Sequence, residues 1–494
     1  MTLTDFINEP KSLLIAAAGH GKTHAIAECV QLCPEGQCQL ILTHTHAGIA
    51  SIKAKLNALK VDSKKYHVET ITSFVQQYTL AYCKKEDLPE PSDKTYFRIV
   101  QEKALKIFSN PHILGVVKVT YSSLFVDEYQ DCEEIQHAII MKLGQVLPVH
   151  VLGDELQGIF GFVGRLVNFE QDLQGFKQFE LEKPWRWCKE GNSQALGDKI
   201  LEWRRKLLAG ERIRLVTDRD ANVEVCIIAF EAMSHSRDYY QLLRKVIKMY
   251  DSESMLIIFP SYVDERGFLR GRISDRISIK DGFDFGNRFL LAEAIDDRSF
   301  YSNAKAIDEI IHKINSPRVK KKEKKIVDMM DGLSFNLTDL DIWFDRKQDC
   351  RLIDKKKGNK AKSDKLAEIY GRFLANPSKR GVDELITFFQ KDAGMKPKRR
   401  EVLSSIQHCL RSYPEEMSVY DAMYETRNAI RRGGRKIQGR CIGTTLLTKG
   451  LEFDTVIVLD AHRFEDAKNF YVAISRACKH LVIISKKSVL QFER

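Results

Sequence analysis

Short, almost unbroken apolar runs constrain this chain more than any other feature. The first set is SLLIAAA (12–18), CQLILTH (38–44), SLFVDE (123–128) and VHVLGDE (149–155). The second is VEVCIIAF (223–230), MLIIFP (255–260), TVIVLD (455–460) and LVIIS (481–485). Stretches with helical spacing separate the runs. A strand apolar at nearly every position must be covered on both faces, as in a parallel sheet flanked by helices. The two sets lie apart in sequence, so the spacing predicts an α/β protein with two such cores. A length of 494 residues leaves room for about three domains.

The third region lies between the two halves of the second set. From 266 to 440 strand signals fade and charge rises, with RVKKKEKK (318–325), KKKGNKAK (355–362) and KPKRR (396–400). KAIDEIIHKI (305–314) and KLAEIYGRFL (365–374) carry apolar residues at helical spacing. A basic, mainly helical insertion within the second core is expected. The basic runs read equally as nucleic-acid contacts or as solvated loops.

AAAGHGKT (16–23) follows the first apolar run, and HAIAECVQL behind it reads as a helix. It fits G-x-x-x-x-G-K-[ST] except that Ala16 replaces the first glycine. In such a loop backbone N–H groups at the helix start cradle phosphates, Lys22 reaches the outer phosphates and Thr23 holds Mg²⁺. LFVDEYQD (124–131) places Asp127 and Glu128 at a second strand exit. Phosphoryl transfer to water needs one carboxylate for the metal and one for the attacking water.

With these two motifs the chain resembles the UvrD/Rep-type superfamily 1 helicases. VDEYQD resembles their DExxQD box, and AAAGHGKT their AGAGSGKT, in which the first position is also alanine. In the family's order follow LTHTHAGIASIKAKL (42–56), TITSF (70–74), LGDELQGIFGF (152–162), LEKPWRW (181–187), TTLLTKGLEFDTVIV (444–458) and YVAISRA (471–477). The resemblance implies two RecA-like P-loop NTPase cores. The first spans 1–190 with a reduced insertion at about 82–119; the second joins 191–265 to 441–494; 266–440 is a reduced second insertion. It implies ATP and Mg²⁺ as cofactors and single-stranded or partly duplex DNA as partner, with 3′-to-5′ movement. Ala16, Ala17, Ala18, Gly19, His20, Gly21, Lys22 and Thr23 would bind the nucleotide, with Gly450 and Glu452 near its sugar. Thr23 and Asp127 would hold Mg²⁺, and Glu128 would activate water. Gln157 would sense the γ-phosphate, and Arg186 and Arg476 would be arginine fingers. Thr43, Thr70 and Ser73 would contact the DNA backbone. Phe160 and Phe162 would stack on bases; two phenylalanines at this spacing also suit one face of a buried strand.

The chain departs from the family at several positions. No glutamine occurs in the 15 residues before Ala16, where the family's adenine-reading glutamine lies upstream, so preference for ATP over other nucleotides is not expected to be strong. PWRW replaces NYRS, His44 replaces an aromatic, Val163 replaces an arginine, and His20 stands where the family carries serine. In size and layout the chain also resembles the helicase-like subunit of Gabija-type anti-phage systems, which works beside an OLD-family nuclease. That resemblance implies a nucleotide- and DNA-sensing ATPase with a nuclease partner and little unwinding of its own. An appended RecB-like nuclease domain is not expected after Ala477.

The formal net charge of +11 suits a polyanionic partner and equally an ordinary basic protein. Eleven cysteines without paired spacing read as reduced thiols, Cys29, Cys33 and Cys38 included. With no signal-peptide pattern and no apolar run of about 18 residues, a cytoplasmic protein without a membrane span is expected.

Overall fold

The computed structural model describes residues 2–89, 95–159, 164–229, 237–252, 254–264, 267–282, 288–293, 297–347, 350–353, 359–433 and 439–492. It forms two compact units, Met1–Ala292 with Gly433–Arg494, and Glu293–Arg432.

The first unit holds two six-stranded sheets, and every pairing within each sheet is parallel. In the first, strands β1 (Lys11–Ile15), β2 (Gln39–Thr43), β3 (Tyr66–Thr70), β4 (Ser123–Val126), β5 (Val149–Gly153) and β6 (Lys177–Glu180) lie in the order β3-β2-β4-β5-β1-β6. Helix α1 (Leu3–Asn8) precedes β1. The crossovers are α2 (Lys22–Leu32), α3 (His46–Ala58), α4 (Ile71–Tyr82) with α5 (Tyr96–Ile107) and α6 (Pro111–Thr120), α7 (Glu134–Leu143), and α8 (Phe169–Asp172). Successive strand residues point to opposite faces. Leu13 and Leu40 therefore join the core beneath α4 to α7, while Leu14 and Ile41 join the core beneath α1 to α3. Covering both faces is what allows apolar residues at consecutive positions, as in Leu13–Ile15, Leu40–Leu42 and Leu124–Val126.

The second sheet runs Leu290–Leu291, Arg440–Gly443, Met255–Ile258, Phe453–Val458, Ala477–Ser485 and Val223–Ile227 in spatial order. Leu256 and Ile258 face one core and Met255 and Ile257 the other. Helix α9 (Gln194–Leu208) covers the first of these faces with Leu196, Ile200, Trp203 and Leu207. Ala18 and Leu156, from the first sheet's loops, join the same cluster.

The two doubly covered parallel sheets make this an α/β fold with two RecA-like cores. All eight apolar runs contain strands, and the two six-stranded sheets hold four further strands that were not expected from the sequence. Of these, β3 and β6 are sheet edges; β6 is half-exposed or exposed along its length and β3 buries only Val68 and Thr70, so neither has a continuous apolar signature. Leu290–Leu291 is a two-residue edge, and Arg440–Gly443 is buried but carries only Cys441 and Ile442 as apolar residues.

The second unit is mainly helical, with Arg298–Lys313, Lys322–Gly332, Lys360–Ala375, Lys379–Thr387, Arg400–Ser412 and Val419–Gly433 as its longer helices. One apolar cluster holds it together. Asp308 accepts from Val419 N–H (2.7 Å) and Tyr420 N–H (2.9 Å), tying two of these helices. The stretch 355–358 of one basic run lies outside the described residues.

Candidate nucleotide-binding and hydrolysis site

The loop 16–21 leaves β1 and enters α2. Ala16 N–H donates to Gly153 O at 3.0 Å and so prolongs the β1–β5 ladder. Left-handed backbone falls on Gly19 (φ +77°) and Gly21 (φ +84°). A Cβ at Gly19 would lie 2.7 Å from Arg186 Cβ, and one at Gly21 3.2 Å from the Trp185 ring. Glycine is thus required by conformation and by the PWRW segment packed on the loop. Ala16, Ala17, Ala18 and His20 are buried. Lys22 Nζ donates to Ala16 O (3.0 Å), His20 Nδ1 lies 3.0 Å from Ala18 O, and Thr23 is the second residue of α2, half-buried.

Asp127 and Glu128 follow β4, and Glu128 adopts φ +54° as the chain turns. Asp127 is 3 % exposed. Burial and the neighbouring Glu128 charge push its carboxyl well above the usual carboxylate range. For Glu128 burial also opposes ionisation, but Lys22, Lys449, the Gln130 amide and Arg476 outweigh it and hold its carboxyl below that range. Gln130 Nε2 donates to the Glu128 carboxylate.

Thr23 and Asp127 offer hard oxygens, and a buried carboxylate with raised proton affinity is one that a cation would relieve. They fit Mg²⁺. Among the described residues no group of three or more His, Cys, Asp or Glu gathers into a metal site, so a cation here would share its shell with phosphate oxygens.

The remaining expected residues come from both sheets. Gln157 is buried; its Nε2 donates to Asp154 Oδ2 (2.7 Å) and its Oε1 lies 3.5 Å from Arg476 Nη2. Arg476 is 1 % exposed and also donates to Val472 O (2.9 Å) and Ser475 Oγ (2.8 Å). Burial, and then the nearby Arg186 charge, lower its guanidinium to about 10. Arg186 donates to Ser475 O and pairs with Glu452, Nε to Oε1 3.1 Å. Arg186 and Lys189 outweigh burial and keep the Glu452 carboxyl low. Gly450 takes φ +82°, with open space where a side chain would stand.

Three residues without an expected role, Tyr471, Lys449 and Arg204, make contacts between the cores. Ala18 N–H donates to Tyr471 Oη at 3.0 Å. Lys449 Nζ donates to the Asp131 carboxylate and to Gln157 O (2.5 Å). Arg204 of α9 donates to Asp154 Oδ1 at 2.9 Å. Tyr471 and Lys449 stand inside recognised motifs, where a polar residue at a strand or helix end was the available signal. Arg204 stands in none.

For the nucleic-acid residues, Thr43 and Thr70 end β2 and β3 and are register partners. Both are buried. Thr43 packs against Gly48, where a Cβ would come within 2.5 Å of its Oγ1. Thr70 caps α4, accepting from Ser73 N–H (3.0 Å) and donating to Ser73 Oγ (2.8 Å). The structure thus gathers all three hydroxyls at one sheet edge. Phe160, Phe162 and Val163 lie outside the described residues. A cleft of about 730 Å³ opens beside this edge, lined by His44, Thr45, Thr72, Phe97 and Gln136 among others. Burial, then Lys449, lowers the His44 imidazole to about 4. All eleven cysteines are free thiols, and among the described residues no helix is long and apolar enough to cross a membrane.

Residues 92–177 match the family model described as the UvrD/REP helicase N-terminal domain. DNA helicase II of Escherichia coli is 28% identical over 154 residues, covering 28% of this chain and 21% of that protein. The ATP-dependent DNA helicase PcrA of Leuconostoc citreum is 25% identical over 170 residues, covering 29% and 23%. The match thus spans about a fifth of the length of these curated relatives. A crystal structure of Bacteroides sp Pif1 in complex with ADP-AlF4 is similar at 15% identity and a TM-score of 0.27, over 52% of each chain. The chain therefore carries, at residues 92–177, a segment of the UvrD/REP helicase N-terminal type and is weakly homologous to the UvrD and PcrA DNA helicases.

Proposed function

We propose that this chain is a superfamily 1 motor that couples NTP hydrolysis, with ATP as a substrate, to 3′-to-5′ movement on single-stranded DNA. The observation that supports it best is one buried cluster built from both ends of the chain. Lys22, Asp127, Glu128 and Gln157 of the first core meet Arg476 of the second, with Arg186 beside it. In this reading 1–190 is the first core with its small insertion, the second core takes 191–265 and 441–494 together with the sheet strands at Leu290–Leu291 and Arg440, and the second insertion is the rest of 266–440.

The residues divide the work by their chemistry. Lys22 leaves Ala16 O to meet the outer phosphates. Glu128, held ionised by its cationic neighbours, takes the proton of the attacking water. Gln157 orients that water while Arg476 and Arg186 offset charge on the transferring phosphoryl group. A divalent cation held by Thr23 and Asp127 would neutralise phosphate charge. Since Arg476 reaches Gln157 only when the cores are together, hydrolysis is tied to closure, and closure to a step along DNA held by Thr43, Thr70, Ser73, Phe160 and Phe162.

The sensing alternative, an ATPase subunit working beside an OLD-type nuclease, draws support from a different observation. Ala18 N–H and Lys22, both phosphate-facing groups of the loop, are engaged within the chain. Such a subunit would form a stable complex with the nuclease and show weak activity alone.

The experiment is NTP hydrolysis with and without single-stranded DNA, for the wild type and Lys22→Ala. The motor reading predicts stimulation of about tenfold or more and its loss in Lys22→Ala. Hydrolysis that neither responds to DNA nor depends on Lys22 would contradict it.

A further inference from the structure

Asp154 directly follows β5, one of the two middle strands of the first sheet, and is fully buried. Each of its polar groups has one use. Its Oδ2 accepts from Gln157 Nε2 at 2.7 Å, its Oδ1 accepts from Arg204 Nη2 at 2.9 Å, and its N–H donates to Gln130 Oε1 at 3.0 Å. Gln130 in turn donates to the Glu128 carboxylate. Gln157 and Glu128, the two groups that would handle the attacking water, are therefore both anchored at Asp154. Arg204 supplies the cation that a buried carboxylate needs, and it comes from α9 of the second core, outside every motif of the sequence.

A glutamine amide has a donor end and an acceptor end that differ only by a half-turn. With Asp154 ionised, the NH₂ of Gln157 must face it, which turns Oε1 toward Arg476 Nη2. Without a partner cation Asp154 would be an uncompensated buried charge and would protonate or move. The amide could then turn over, setting its NH₂ against the guanidinium.

We propose that Arg204 is a positioning residue for hydrolysis: through Asp154 it fixes which end of the Gln157 amide faces Arg476 and the reacting phosphate. This rests on reading the site as an NTPase. It makes the water-handling residues of the first core dependent on a helix of the second.

The test is steady-state ATP hydrolysis in saturating single-stranded DNA, together with binding of a fluorescent ATP analogue. Arg204→Met is expected to lower kcat about tenfold or more while KM and analogue binding stay within about threefold. Arg204→Lys, which keeps the charge but loses the planar fork, is expected to fall between it and the wild type. Asp154→Asn is expected to lose at least as much, and the double variant no more than Asp154→Asn alone. Wild-type kcat in Arg204→Met, or losses that multiply in the double variant, would overturn the proposal. Should Arg204→Met fail to fold, Arg204→Lys decides: reduced kcat at unchanged KM supports the role, and wild-type kcat overturns it. A wild-type chain lacking Lys22-dependent hydrolysis overturns the NTPase reading and this role with it. Full activity in both wild type and Arg204→Met overturns the role alone.

Discussion

At Ala16 the phosphate loop lacks its leading glycine, and the backbone shows why this is tolerated. Ala16 continues the β1–β5 ladder, and the left-handed turns fall on Gly19 and Gly21. His20 is buried between them and faces Asp154 and Arg204 among its nearest charges; burial lowers its pKa. Buried imidazoles elsewhere give the protein a pH signature. His150, packed against Phe6 and Phe125 with Nδ1 at 2.7 Å from Ser12 Oγ, is lowered by burial to about 4. Its pKa is depressed on folding, so the unfolded chain takes up a proton near pH 6.5 that the folded chain refuses. The stability it contributes is complete above about pH 6.5 and is lost as the pH falls toward 4, at about 1.4 kcal/mol per pH unit. Urea unfolding at about pH 7 and about pH 5 should show this loss in the wild type and about 2 kcal/mol less of it in His150→Gln. An unchanged slope would mean that the ring takes up its proton equally in the folded and unfolded chain.

Among elements, the strand-to-helix junctions carry both the fold and the candidate DNA contacts. Thr70 spends its hydroxyl on the cap of α4. Thr70→Ala is therefore expected to cost about 1 kcal/mol in urea unfolding; no loss would leave the cap without energetic weight. The same junctions show what was legible in the sequence. β1, β2, β4 and β5 lie inside the sheet and are apolar at nearly every position, so they announce themselves. The edge strands β3 and β6 face water and read as loop, because an edge needs apolar residues on fewer positions. Asp127, Glu128, Lys22 and Thr23 were singled out as candidates because strand exits concentrate chemistry within a few residues. Arg204 was not: nothing about an arginine in α9 tells that a carboxylate 50 residues earlier will lie 2.9 Å away.

For the molecule as a whole, the two cores of the first unit meet through polar contacts at the loops, set beside the apolar packing of Ala18, Leu156 and Trp187 in the second core's cluster. Tyr471 meets Ala18 N–H, Lys449 meets Asp131 and Gln157, and Arg204 meets Asp154. Burial, partly offset by Lys449, raises the Asp131 carboxyl to about 6. Polar contacts of this kind can be exchanged for phosphate contacts and remade, which suits a hydrolysis cycle built on opening and closing. The order of motifs made the pairing of the cores legible; which side chains bridge them depends on tertiary packing. In the proposed mechanism Arg476, from the second core, completes hydrolysis on the first. Single-turnover ATP hydrolysis by Arg476→Ala, with nucleotide binding measured in parallel, decides this. The rate is expected to fall by about 10³-fold with binding within about threefold of wild type; hydrolysis at the wild-type rate would remove Arg476 from the mechanism.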